Sequence, residues 1–366
     1  MKRRDFMKAG AVAGGGAAVA AASSFPAPAV AQERVDIAIV SSWPRDFPGL
    51  GTGAQRFAQS VADASDGKFQ ITYFAAGERV GAFDVFDEVA SGNSQGYHAA
   101  DYYATGKHPG FAYYSAVPFG MTPAEINAWL YFGGGQELWD ELSGEFGLKA
   151  MACGNSGGQW GGWFNKEINA ASDLQGLKMR IPGLGGNLLS KLGASPVSLP
   201  GGQIYENLVS GAIDATEWVG PWNDEAMKFY EAARYYYYPG VHEPGTVLSF
   251  GINASLWGRF SRSDRALFEA CARAENNTML AEFNAKNGAA LTRLIEDQGV
   301  ELREFSDAIY DAFATAADEV FEETRQHSPL ANRIHESFLA SRNEVSRYIE
   351  LNDVNYIQKR NARIRR

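Results

Sequence analysis

Four segments between Val35 and Ala90 switch between two apolar periodicities, and that switching restricts the fold more than any other feature of the chain. Val35-Asp-Ile-Ala-Ile-Val40 reads as a buried strand ending at Ser41-Ser42-Trp43-Pro44. Phe57 and Val61, four apart, mark a helix over 51–64. Phe69, Ile71 and Tyr73 alternate as a second strand after the Asp66-Gly67 turn. Phe83, Phe86 and Val89-Ala90 then fit a second helix, stopped at Ser91-Gly92. Strand–helix–strand–helix implies a parallel α/β sheet with right-handed crossovers, so the expected class is α/β.

The remainder extends this pattern. Tyr97 to Tyr103 reads as a third strand running into a loop. Thr122-Pro123-Ala-Glu125 is an N-cap, a proline at the first helical position and a capping-box glutamate. It should open a helix through Trp129, with another through Trp139 and Leu142, before a strand over 148–153. Gly154-Asn-Ser-Gly-Gly-Gln-Trp-Gly-Gly162 breaks the texture and suggests a crossing into a second unit. That unit's expected strands are 178–181, 196–199 and 215–219, with helices over 186–192 and 203–210. A strand over 248–253 carries the chain back. Helices over 263–297, 306–326 and 330–359 follow, interrupted by a short strand at 300–305. The expected division is a leader over 1–31, a first lobe over 32–155, a second over 156–250, and a return over 251–366 with long helices spanning both lobes.

The leader reading rests on Arg3-Arg4-Asp5-Phe6-Met7-Lys8, a twin-arginine pattern, followed by an Ala/Gly/Val run and Ala29-Val30-Ala31. Cleavage there starts the mature chain at Gln32 in the periplasm. It removes Lys2, Arg3, Arg4, Lys8 and Asp5, so 29 basic and 42 acidic residues remain and the net charge falls from −10 to −13. Such a surface argues against nucleic acid as a partner. An anionic ligand would need a local positive centre, because the overall field repels it. Cys153 and Cys271, far apart in sequence, read as free thiols rather than a disulfide framework.

The stretch 211–245 concentrates the candidate chemistry. Asp214-Ala-Thr-Glu217-Trp218-Val alternates as a strand does and is broken by Gly220-Pro221. An acidic residue there sits at the mouth of an open α/β sheet, where such sheets bind ligands. Glu243 lies in a second Pro/Gly-punctuated loop, 239–245. Two carboxylates and an aromatic wall suggest an oxygen-liganded cation. The same pair would serve an exported hydrolase as acid and base. However, no G-x-S-x-G, H-E-x-x-H or phosphate loop accompanies it.

Three blocks, E-W-V-G-P-x-N-D at 217–224, Y-Y-Y-Y-P-G-x-H-E-P-G at 235–245 and L-Q-G-L-K-M-R-I-P-G at 174–183, resemble the solute-binding proteins of TRAP transporters. The likeness is to the branch that binds 2-oxo monocarboxylates or lactate with a metal ion, and it covers nearly the whole mature chain. It implies a two-lobed periplasmic-binding-protein-like fold with a long C-terminal helical segment, and a non-enzymatic receptor that delivers solute to TRAP membrane subunits. Arg180, by position alone a surface arginine, becomes the residue that grips the ligand carboxylate with its fixed guanidinium fork. Glu217, Glu243, the Gln159 side-chain oxygen and the Trp218 backbone carbonyl become a hard-oxygen set for Ca²⁺ or Na⁺, with charge balance favouring Ca²⁺. Tyr103 and Trp218 are implied as walls, joined by Tyr102 and Asn187. His242 is expected to pack or hydrogen-bond locally, and Trp43, Trp160, Trp163 and Trp222 to belong to the core. With no second matched arginine beside Arg180, a monocarboxylate fits better than a dicarboxylate; a sugar acid or aromatic acid on the same fold is the nearest alternative. The final helix, with Phe338, Ile349 and Tyr356 among charges, caps its own domain or joins a homodimer.

Overall fold

The computed structural model describes residues 34–364, so the leader expected over 1–31 lies outside the described residues. The chain opens with β1 (Val35–Ser41), α1 (Leu50–Ala64), β2 (Phe69–Phe74), α2 (Val85–Ala90) and β3 (Gly96–Ala99). These three strands are parallel in the order β2-β1-β3. Ile37 and Ile39 pack with Phe57 and Val61 of α1 on one face, while Val40 joins Val85, Phe86 and Tyr97 on the other. That split is the two-residue period of a strand covered on both sides.

After α3 (Pro123–Phe132), α4 (Gly135–Gly144) and β4 (Leu148–Asn155), the chain leaves this sheet. The expected capping box forms, with Thr122 N donating to Glu125 Oε2 at 2.7 Å. The second lobe holds β5 (Gly162–Phe164), β6 (Lys178–Arg180), α5 (Gly183–Lys191), β7 (Ser195–Val197), α6 (Gly201–Val209), β8 (Ala215–Thr216), α7 (Pro221–Ala226) and β9 (Tyr235–Tyr238). β10 (Val247–Asn253) returns to the first sheet, which runs β2-β1-β3-β10-β4. There follow α8 (Ala254–Arg259), α9 (Arg262–Glu296), β11 (Glu301–Glu304), α10 (Asp307–Gln326) and α11 (Pro329–Ile349). A π-helical turn, Glu350–Val354, leads into α12 (Asn355–Asn361). β11 joins the second sheet, ordered β11-β9-β5-β8-β6-β7.

α9, 35 residues and therefore about 50 Å long, ties the lobes together. Its Phe268 and Ala272 pack under the first sheet, and its Phe283 meets Trp222 of α7 at 5.3 Å. Among the described residues no helix is long and apolar enough to cross a membrane.

Neither sheet is purely parallel, contrary to expectation. β10 pairs antiparallel with both β3 and β4, and β5 does so with β8 and β9. Each of these strands enters from the other sheet, so no helical crossover dictates its direction. The strand expected over 97–103 ends at Ala99, and Asp101–Ala104 turns as a 3₁₀ helix carrying Tyr102 and Tyr103. The strand expected over 215–219 is only Ala215–Thr216, which leaves Glu217 and Trp218 beyond its end. The glycine-rich break ends at the first residue of β5, and the four-tyrosine run is β9. Gly162 has φ 109°, and a Cβ there would lie 2.5 Å from the Thr216 carbonyl oxygen, so β5 can approach β8 only with glycine at its start.

Candidate functional site: a buried cluster with unfilled polar atoms

Five pieces of chain meet between the sheets. Arg180 ends β6, and Glu217-Trp218 follow β8, whose parallel pairing with β6 brings both strand ends to one mouth. Gln159 lies on the crossing from β4 to β5, and His242-Glu243 on the crossing from β9 to β10. The two crossings run side by side. Gln159 N donates to the Glu243 carbonyl at 2.8 Å, Gly240 N to the Gln159 carbonyl at 3.1 Å, and Ser156 N to the Thr246 carbonyl at 3.0 Å. Tyr102 and Tyr103 come from the first lobe, where the Tyr102 ring lies against Gly183 at the start of α5.

The cluster is almost dry. Arg180 is 1% exposed, Glu217 0%, Glu243 3%, His242 4%, Gln159 5% and Trp218 5%. Arg180 Nη1 pairs with Glu217 Oε1, its Nε donates to the Leu199 carbonyl at 3.1 Å, and its guanidinium stacks 5.1 Å over the Trp218 ring. Burial, the largest single influence, opposes charge on Arg180, but Glu217 together with Tyr103, Tyr102 and Glu243 holds the pKa above its ordinary value. Burial likewise opposes charge on His242, and Glu217 and Glu243 together raise the pKa in spite of it. Glu243 is pushed well above the usual carboxylate range by burial and then by the neighbouring Glu217 charge. Burial raises both tyrosines, Tyr103 to about 12.

Several atoms in this dry cluster have no partner: Arg180 Nη2, Glu217 Oε2, Gln159 Oε1, Trp218 Nε1 and His242 Nε2. Buried polar groups normally find partners, because leaving one unmade costs about 1–3 kcal/mol. The Gln159 amide is oriented by its neighbours. Thr246 Oγ1 donates its one hydrogen to Glu243 Oε2 at 2.8 Å, so towards Gln159 Nε2, 3.2 Å away, it can only accept. The Gln159 oxygen is thereby turned away from Thr246 and left free. Ligand atoms of Glu217, His242 and Glu243 lie within 4.8 Å of one another. Two carboxylates, an amide oxygen and the nearby backbone carbonyls are the donor set that hard cations take, so these residues fit Ca²⁺ or Na⁺.

Of the residues singled out in the sequence, Arg180, Gln159, Glu217, Trp218, Glu243, Tyr102 and Tyr103 come together here. Asn187 does not: it is exposed on α5, and among the described residues it makes no hydrogen bond to the cluster. Trp43 and Trp163 are core, as expected, while Trp160 and Trp222 are half-buried. His242 sits inside the cluster, its Nε2 3.4 Å from Glu217 Oε2. Three features escaped the sequence reading. Thr246 and Ser156 anchor the Gln159 amide. Phe47, after β1, meets the Trp218 ring edge-on at 6.1 Å, and Asn223 Nδ2 donates to the Pro48 carbonyl at 3.0 Å. These last two contacts join the first lobe to the second beside the cluster.

Comparison with known proteins gives a consistent result. The family model for bacterial extracellular solute-binding protein family 7 matches residues 39–327. A monocarboxylate 2-oxoacid-binding periplasmic protein of Nostoc sp. (strain PCC 7120) is 38% identical over 358 residues, covering 97% of this chain and 98% of the relative. A TRAP periplasmic solute-binding protein from Pseudoalteromonas atlantica, solved with bound sodium and pyruvate, is 35% identical with a TM-score of 0.86; the match covers 89% of this chain and 99% of that one. One from Bordetella bronchiseptica is 32% identical with a TM-score of 0.88, covering 90% and 99%. It was solved as a mixed-occupancy dimer, with copurified calcium and picolinate in one site and the other site apo.

Proposed function

This chain belongs to the bacterial extracellular solute-binding proteins of family 7, and from that premise we propose that it captures a small 2-oxo monocarboxylate, such as pyruvate, for a TRAP transporter. Family and fold put it outside the cytoplasm; export by the twin-arginine route is our reading of Arg3-Arg4. The observation that carries the ligand class is the set of unfilled buried atoms on Arg180, Gln159 and Glu217.

In this reading Glu217, Glu243, the Gln159 side-chain oxygen and the Trp218 carbonyl hold Ca²⁺ or Na⁺. Bound there, the cation supplies the positive charge that lets an acidic protein hold an anion. Arg180 has one guanidinium nitrogen pair committed to Glu217 and the Leu199 carbonyl, and Nη2 remains to donate to the ligand carboxylate. Tyr102, Tyr103 and the Trp218 ring form an apolar wall with hydroxyl edges, suited to a short acyl chain. Phe47 and Asn223 meet their partners across the lobes, so closure and exclusion of water accompany binding. The lobes act on the ligand only by holding it, and no bond in it changes.

Thermal melting tests this. Pyruvate at a hundredfold over its dissociation constant should add about 2.7 kcal/mol to stability, and Glu217→Gln should remove that response. A melting temperature that responds to sugars but not to 2-oxo acids would reject the ligand class. Recovery of chemically altered pyruvate would reject the receptor role.

The C-terminal segment supports a further part of the reading, a homodimer. Tyr348, Leu351 and Tyr356 are 62–68% exposed, an apolar series along a helix whose last third contributes no buried residue, and Ile364, 64% exposed, follows just past its end. Sedimentation of the chain with and without residues 350–366 decides it: the full chain should be a dimer and the shortened one a monomer.

A further inference from the structure

Asp224 is buried, 1% exposed, and among the described residues no cationic side chain pairs with it. Its two oxygens instead accept four hydrogen bonds. Oδ1 takes the Val219 and Gly220 N–H groups, each at 3.2 Å. Oδ2 takes Trp163 Nε1 at 3.0 Å and the Tyr236 hydroxyl at 2.6 Å. Those last two rings are themselves stacked at 4.0 Å, which gives the carboxylate a rigid seat.

The Val219 N–H belongs to the same peptide unit as the Trp218 carbonyl. In a planar trans peptide the N–H and C=O point in opposite directions. Holding the N–H on Asp224 therefore turns the Trp218 oxygen away from Asp224. The next peptide is fixed as well, because Trp160 N donates to the Val219 carbonyl at 3.0 Å. Among the described residues no hydrogen bond reaches the Trp218 carbonyl oxygen. The strap after β8 is thus pinned through the peptide that carries one free acceptor and the peptide that follows it.

An amide could not do this. Its single acceptor oxygen would serve either the Val219–Gly220 pair or the Trp163–Tyr236 pair, and its NH₂ would then oppose the other donors. Burial raises the Asp224 pKa to about 6, so the fold retains a carboxyl group at a disfavoured position where a neutral amide would be easier to bury.

We propose that Asp224 is a positioning residue for the cation site: by gripping the Val219 and Gly220 N–H groups it presents the Trp218 carbonyl as a cation ligand. The proposal rests on the reading above that this carbonyl is a ligand. Partners one shell out from a metal commonly change its affinity by about 10–100-fold when lost.

The test is calorimetric titration of pyruvate into chelator-treated full-length mature protein in sodium-free choline buffer, at stepped calcium and, in parallel, stepped sodium. The ion concentration that half-restores binding is the readout. Asp224→Asn should raise that midpoint at least tenfold, with pyruvate affinity at saturating ion within about threefold of the parent. Tyr236→Phe, which frees one lone pair on Oδ2 and leaves Oδ1 engaged, should lower the melting temperature without moving the midpoint. If Asp224→Asn fails to fold, Asp224→Glu keeps the charge but shifts the oxygens by one methylene, and its midpoint should rise too. A midpoint within twofold of the parent in the folded variant overturns the positioning role, even if stability has dropped. Pyruvate binding by the parent that is indifferent to chelator and to both ions sinks the cation reading itself, and this proposal with it.

Discussion

Asp101 in the first lobe and Glu217 in the second are buried equally well, at 2% and 0% exposure, yet they are treated in opposite ways. Asp101 accepts from the Tyr97 hydroxyl at 3.0 Å, from Ser249 Oγ and from Trp139 Nε1 at 2.8 Å, so both oxygens are served by neutral donors. Glu217 has one oxygen on Arg180 and the other without a hydrogen bond, 3.4 Å from His242 Nε2, with Glu243 close enough to share a ligand. The first arrangement spends a buried carboxylate on architecture, fastening β3 and β10 to α4. The second leaves hydrogen-bonding capacity unused on several groups at once. Burial alone therefore says little about function; burial with unfilled hydrogen-bonding capacity is the informative combination.

The comparison is broken most forcefully at Arg180. Arg180→Met should leave Glu217 buried without its cation and cost about 3–5 kcal/mol in denaturant unfolding, together with loss of measurable pyruvate binding. The double variant Arg180→Met, Glu217→Gln should recover part of that stability and none of the binding. If the single variant unfolds at the parent's denaturant midpoint, the pair is not holding the apo cluster together, and Glu217 must be compensated elsewhere.

That cluster was partly legible in the sequence, for identifiable reasons. Glu217-Trp218 before Gly220-Pro221 announces a strand end, and a strand end is where such sheets bind. The block at 174–183 supplied Arg180 and the wider resemblance to TRAP receptors supplied Gln159, neither of which periodicity could have singled out. Thr246 and Ser156 were not readable, because their roles arise from two inter-sheet crossings lying side by side, and Asp224 was not, because the Trp163 and Tyr236 side chains that seat it come from β5 and β9, far off in sequence. Asn187 was misplaced for a local reason. In Gly185-Gly186-Asn187-Leu188 the buried positions of α5 are Gly185, Gly186 and Leu188, so the polar side chain goes to the opposite, exposed face. β9 escaped because four consecutive tyrosines have no alternation to read, even though Tyr236 and Tyr237 are both buried.

A middle-sized effect sharpens the other half of the comparison. Asp101→Asn should lower stability by about 1–3 kcal/mol near pH 4, because an amide cannot satisfy three donors, while pyruvate affinity stays within about threefold. Burial raises the Asp101 pKa from 3.8 to about 6. A carboxyl raised in the folded state contributes stability that is present below its unfolded pKa and is lost as pH rises through the folded value. Asparagine has no such dependence, so the penalty of the substitution should shrink as pH rises from 4 to 6. His98 and His108, lowered to about 4 by burial, titrate in the same window but in both proteins, and so cancel in the difference. A penalty that grows over this window would show that Asp101 is not the strained acid its surroundings imply.

The smallest effect comes from an ion pair with better geometry than Arg180–Glu217 and far less at stake. Arg333 of α11 grips Glu141 of α4 with both nitrogens, at 2.8 and 2.7 Å. The side chains are 55% and 46% exposed, against 1% and 1% for Arg180 and Glu217. Water already solvates each charge at the surface, so Glu141→Gln replaces one favourable environment with another. It should cost under about 1 kcal/mol and less still at 1 M salt, where the screening length falls to about 3 Å. Measured beside Arg180→Met, it isolates solvent as the variable, since both pairs are guanidinium on carboxylate. Equal costs for the two would mean that burial contributes nothing to the Arg180 pair, and the reading of the cluster as a set of unfilled charges would lose its physical basis.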